Sequence, residues 1–115
     1  MNEKKFKLWY YTATHRQMLL RSVGENGINI DIYFGDVIYL ELPSVLDGIE
    51  LAKPSKEDID YITKRIGVTN QIITVLQSDT EKYFVVSSIM RVIENQLEMF
   101  ELPFDIPQYF AKKVN

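Results

Sequence analysis

The chain has 115 residues, a formal net charge of −3 and no cysteine. That length suits a single domain over residues 1–115 and allows about two-thirds of the unfolded surface to be buried, so stability needs no covalent or metal staple. Without cysteine there is no disulfide framework, thiolate metal site or thiol nucleophile, which fits a reducing, cytoplasmic setting.

The start Met1-Asn2-Glu3-Lys4-Lys5 is polar and lacks the apolar core of a signal peptide. No apolar run is long enough to span a bilayer, so no membrane association is expected. Residues 5–12 alternate Phe6, Leu8 and Tyr10 with Lys5, Lys7, Trp9 and Tyr11, a strand with an aromatic second face. Residues 12–16 break the pattern and predict a loop, and residues 17–23 a second strand. Gly24-Glu25-Asn26-Gly27 is a turn whose glycines tolerate positive φ.

Ile28, Ile30, Ile32 and Phe34 then alternate with Asn29, Asp31 and Tyr33, and a return run follows over residues 37–42. Gly35-Asp36 between them suits a two-residue hairpin turn, which would make the first 42 residues a four-stranded meander. That turn pairs Phe34 with Val37 and sets Ile38, Leu40 and Leu42 on the face opposite the isoleucines. A bulge near residues 34–38 would repair the conflict.

Pro43 ends this run, residues 44–48 predict a turn, and residues 49–52 a short edge segment. A helix is predicted over about residues 55–66. Ser55 and Asp58 form a short-armed capping box, Ile59, Ile62 and Ile66 an apolar stripe, and Gly67 a C-terminal stop. Residues 71–77 and 82–89 read as a strand hairpin. Residues 90–102 fit either a helical stripe or a further hairpin about Glu94-Asn95-Gln96, with strands favoured because no cap precedes Met90. Tyr109-Phe110 is expected to pin the tail on the core. The expected class is α+β: an antiparallel sheet of about seven strands, curled or split and barrel-like, with that one main helix.

No phosphate loop, dinucleotide fingerprint, metalloprotease helix, serine elbow or calcium-loop spacing occurs in the chain, and no cofactor or metal is expected. His15, the one side chain expected to titrate near neutral pH, stands in a loop beside Arg16, where ordinary hydrogen bonding outweighs a general-base role. Charge is uneven: residues 1–24 carry five basic and one acidic side chain, residues 25–60 two basic and nine acidic. Pairing of these segments in one sheet would largely cancel the asymmetry.

Trp9, Tyr11, Tyr33 and Tyr39, with Asp31, Asp36 and Glu41, are candidates for a less buried sheet face. Aromatic anchors ringed by carboxylates suit a basic protein partner, and His15 borders the same set. The expectation is therefore a non-catalytic binding protein that holds or inhibits a basic partner. Small acidic bacterial immunity proteins share this character, although no motif here carries a family. A small carboxylate-dependent hydrolase or ligand-binding domain is second, through pairs such as Asp31/Asp36 or Glu94/Glu98. A single-stranded nucleic-acid platform on Lys5, Lys7 and Trp9 is third, because the chain is acidic and the basic residues do not continue into neighbouring elements.

Overall fold

The computed structural model describes residues 4–104, which form seven strands and one helix. The strands are β1 (Lys5–Thr12), β2 (Gln17–Val23), β3 (Asn29–Glu41), β4 (Val45–Asp47), β5 (Glu50–Ala52), β6 (Ile72–Gln77) and β7 (Lys82–Asn95), and the helix is α1 (Lys56–Ile66). They make one antiparallel sheet in the order β4-β1-β2-β3-β7-β6-β5, curled into a half-barrel. The expected α+β class with one helix is therefore what the chain adopts. Tyr109 and Phe110 lie outside the described residues.

The meander is shorter than predicted. Residues 29–41 are one strand, and Gly35-Asp36 does not reverse it. Asp36 takes a left-handed φ of 54°, and Arg16 in the β1–β2 turn takes 53°. The Val37 amide donates to the Arg16 carbonyl at 2.8 Å, and the Asp36 carboxylate meets the Arg16 guanidinium at 2.6 Å. These contacts hold the bend open as a strand kink where pairing with β2 ends. Beyond it β3 continues along β7, with a register shift between Val37 and Tyr39. The expected bulge is thus present and the expected hairpin is not. The irregularity lets Phe34, Val37 and Leu40 all reach one core, a spacing that regular alternation forbids.

Residues 45–47, read as turn, are the edge strand β4 on β1, with Leu46 opposite Phe6 and 2% exposed. The chain then passes through the buried Ile49 straight into β5 at the opposite edge of the sheet. The curl is therefore joined covalently at the β4–β5 corner. Phe6, Met18, Leu20, Ile32, Phe34 and Ile49 fill the interior. Burying each such side chain contributes roughly 1.5–3 kcal/mol.

The other face of the lower sheet carries α1. Ile62 packs on Val75, Phe84 and Val86, and Tyr61 stacks on Phe84 at 5.1 Å. The helix sits rotated from the predicted stripe: Ile59 is 44% exposed, and Asp58 takes a buried place instead. Its ends form as the residues predict. The Ser55 amide donates to Asp58 Oδ2 at 2.9 Å, the Asp58 amide to Ser55 Oγ at 3.1 Å, and Gly67 (φ 85°) donates to the Thr63 carbonyl.

β7 also departs from expectation. It runs unbroken to Asn95 along β3, and residues 96–102 form neither a returning strand nor a helix. Asn95 Oδ1 accepts from the Leu97 amide at 3.2 Å and turns the chain back over the sheet.

Burial alone would raise the Asp58 carboxyl pKa; the Ser55 amide and Lys82 outweigh it and hold the group below its ordinary value of 3.8. A depressed carboxyl stabilises the fold above the unfolded pKa and loses that contribution as pH falls through the folded one. Asp58→Ala should therefore cost about 1 kcal/mol in urea titrations at neutral pH, with the gap to wild type closing as the pH is taken well below 4.

Candidate functional site

The hairpin about residues 24–27 sets Arg21 across from Asp31. Both side chains leave the sheet on the face away from the barrel interior, where they are 1% and 0% exposed. Their contact is a two-pronged ion pair, with Nε to Oδ1 at 2.6 Å and Nη2 to Oδ2 at 2.9 Å. The Asn95 amide adds a bond to Asp31 Oδ2 at 2.7 Å. A desolvated pair of this kind persists only when its remaining donors and acceptors are met.

The strap over residues 96–104 meets them. Arg21 Nη1 donates to the Glu98 carbonyl at 3.3 Å and Nη2 to the Glu101 carbonyl at 3.0 Å. Asn29 Nδ2 donates to the Leu97 carbonyl at 2.9 Å, and Trp9 Nε1 to the Met99 carbonyl at 2.9 Å. The sheet thus grips the strap by its main-chain carbonyls. Its side chains Met99 and Phe100 are left 63% and 89% exposed. Farther along, Phe104 packs on Tyr33 and Tyr10 at ring distances of 4.7 and 5.4 Å.

Strap and hairpin turn enclose a cleft of about 390 Å³ with Trp9, Arg21 and Asn29 among its walls. Trp9 borders two further hollows. One, of about 270 Å³, runs past Lys5 and Lys7, and the other, of about 370 Å³, lies against Tyr10, Met99 and Phe100. The indole is held twice, by its hydrogen bond to Met99 and by the Arg21 guanidinium 5.4 Å from its ring centroid.

The predicted site residues fall in four places. Trp9, Asp31 and Tyr33 lie together under the strap, Asp31 fully buried and the two rings half-buried. Tyr39 and Glu41 lie lower on the same sheet face, beneath α1. There Glu41 accepts from the Tyr39 hydroxyl at 3.0 Å and from the Tyr61 hydroxyl at 2.7 and 2.8 Å, and Arg65 approaches at 3.9 Å. Burial, then the Glu41 bond, raises the Tyr39 pKa, and the Glu41 bond chiefly raises that of Tyr61. Asp36 is at the β3 kink, bound by Arg16 and by the Ser88 hydroxyl at 2.9 Å. Tyr11 and His15 are exposed at the end of β1 and in the turn after it. Rings and carboxylates therefore do not share one open surface.

Arg21, Asn29 and Asn95 were missed. The signal for Arg21 was present: it and Asp31 stand equally far from Asn26, the middle of the connection between the two strands, so opposite charges face each other in apolar runs. Asn29 and Asn95 act on the strap, whose course no periodicity announces.

No family model matches the chain, and no curated protein or solved structure matches it either. None of the described helices is long and apolar enough to cross a membrane.

Asp31→Ala leaves the buried guanidinium without its counter-charge and should cost about 3–5 kcal/mol in chemical denaturation. The double replacement Arg21→Met with Asp31→Leu, which removes both charges, should recover most of that loss.

Proposed function

We propose that the chain is a non-catalytic binding domain that takes its ligand at Trp9, in the cleft between the 24–27 turn and the strap. The observation that carries this reading is the fixed, half-buried indole bordering three adjoining hollows. A large ring already locked by a hydrogen bond and a guanidinium offers contact area with little rotamer freedom left to lose on binding.

The lining favours holding over chemistry. Among the described residues it contains one carboxylate, Glu98, and no serine, threonine, histidine or lysine. A carboxylate-pair mechanism needs a second acid across the bond, and Asp31 is neutralised by Arg21. The acidic-face reading would need Asp31, Asp36 and Glu41 open to a basic partner. Asp31 is buried against Arg21 at 2.6 Å, Asp36 meets Arg16 at 2.6 Å, and Glu41 is taken up chiefly by the Tyr39 and Tyr61 hydroxyls at 2.7–3.0 Å. Binding at Trp9 makes no such demand.

Trp9 is the single tryptophan, so its emission reports on the cleft and the two hollows beside it. Low-molecular-mass and nucleic-acid fractions of the native cell extract should include one that shifts this emission saturably. Val23→Phe, at a 58% exposed cleft position outside the ion-pair network, should weaken that response by about tenfold or more. A response that Val23→Phe leaves unchanged, or no response from any fraction, contradicts the reading.

A further inference from the structure

Resting on the reading of Trp9 as the binding site, we propose that the ligand is single-stranded nucleic acid, one unpaired base stacking on Trp9 while the flanking phosphates run along Lys7 and Lys5. Lys5, Lys7 and Trp9 share one face of β1 and line one hollow together, so cations and ring form a continuous row. Same-face residues on a regular strand, such as Lys5 and Lys7, are about 7 Å apart, and Trp9 follows them at the register shift between Leu8 and Tyr10. A row of this kind serves a chain that alternates charge with flat rings, which a neutral glycan does not do.

The cleft beside that row supplies the rest. Arg21 covers one side of the indole and is neutralised by Asp31, so it stiffens the platform without adding net charge. Asn26 and Gln96 stand on opposite walls, each with an amide that both donates and accepts and that has no partner among the described residues. Such groups match the mixed donor and acceptor edge of an extruded base. A duplex hides that edge and both base faces.

The charge balance sets the strength. Lys7 has no counter-ion among the described residues. Lys5 meets Asp47 at 3.8 Å with both side chains largely exposed, a contact that salt and water weaken. Glu98 on the far wall opposes additional phosphates there. The footprint is therefore two phosphates, and binding is weak and selective for unpaired strands. The overall acidity that counts against a long polyanion track does not oppose so short a contact.

The test uses the intact chain and an oligothymidylate of about six nucleotides, within the span that one compact domain covers. Trp9 emission should be quenched saturably, and log K should fall with log salt at a slope of about −1.4, or about 25-fold per decade. Lys7→Gln should reduce the slope to about −0.7 with quenching retained, because charge and stacking are separate contributions. The same sequence in duplex form should bind at least about tenfold more weakly. Equal binding of duplex, or a slope near zero, overturns the proposal. So does saturable quenching by a neutral oligosaccharide or a peptide with none by the oligonucleotide, an outcome that leaves Trp9 as a binding site. If no ligand that is sensitive to Val23→Phe exists at all, the site reading fails with it.

Discussion

The Arg21–Asp31 pair is the constraint on which the upper half of this molecule depends. Two charges without access to water are tolerable only if their hydrogen-bonding capacity is filled, and two bonds between them leave several donors over. The strap fills that need with the carbonyls of Glu98 and Glu101. In doing so it covers the sheet face, fixes Trp9 through Met99 and closes one wall of the cleft. Asn29 and Asn95 extend the same logic from the neighbouring strands. A stretch without regular structure acquires one course because the sheet below presents donors that its main-chain carbonyls satisfy.

The lower half is governed by packing. β3 and β7 run side by side through the whole sheet and serve two cores on opposite faces. Leu40 and Val85 face the barrel interior, while their neighbours Tyr39 and Val86 face the helix. The kink at Asp36 and the register shift after it change which residues point inward between the two halves. One continuous strand can therefore line a barrel above, where β2 is its neighbour, and carry a helix below. Glu41 is the lower counterpart of Asp31, a carboxylate on the covered face whose oxygens are taken up by Tyr39, Tyr61 and Arg65.

What could be read from the chain followed from how local the cause was. The helix was legible because Ser55, Asp58 and Gly67 act within four residues of their partners. Its buried face was less so: Asp58 is drawn inward by Lys82 on β7, a contact between distant segments. The hairpin at Gly35-Asp36 failed for the same reason. The local residues permit a reversal, but the Arg16 carbonyl and guanidinium, supplied by another turn, stabilise a kink. β4 is three residues long and carries too little pattern to detect. Trp9, Asp31 and Tyr33 were among the residues expected on one less buried face; the fold brings these three together under the strap, with Asp31 buried. Their chemistry was not visible, since it depends on Arg21 opposite and on the strap above. The hollow past Lys5 and Lys7 likewise exists only once β1 is curled against Arg21 and Val23.

The central claim is that a strap held by sheet donors locks Trp9 into the wall of a preformed cleft. Proton exchange at the indole Nε1–H, observed by NMR as the one such resonance in the chain, tests it most directly. Bonded to the Met99 carbonyl, that proton should exchange far more slowly than in the unfolded chain and show one chemical shift. Exchange at the free-indole rate in the folded protein would mean that the strap does not hold the ring, and the cleft built on it would not exist.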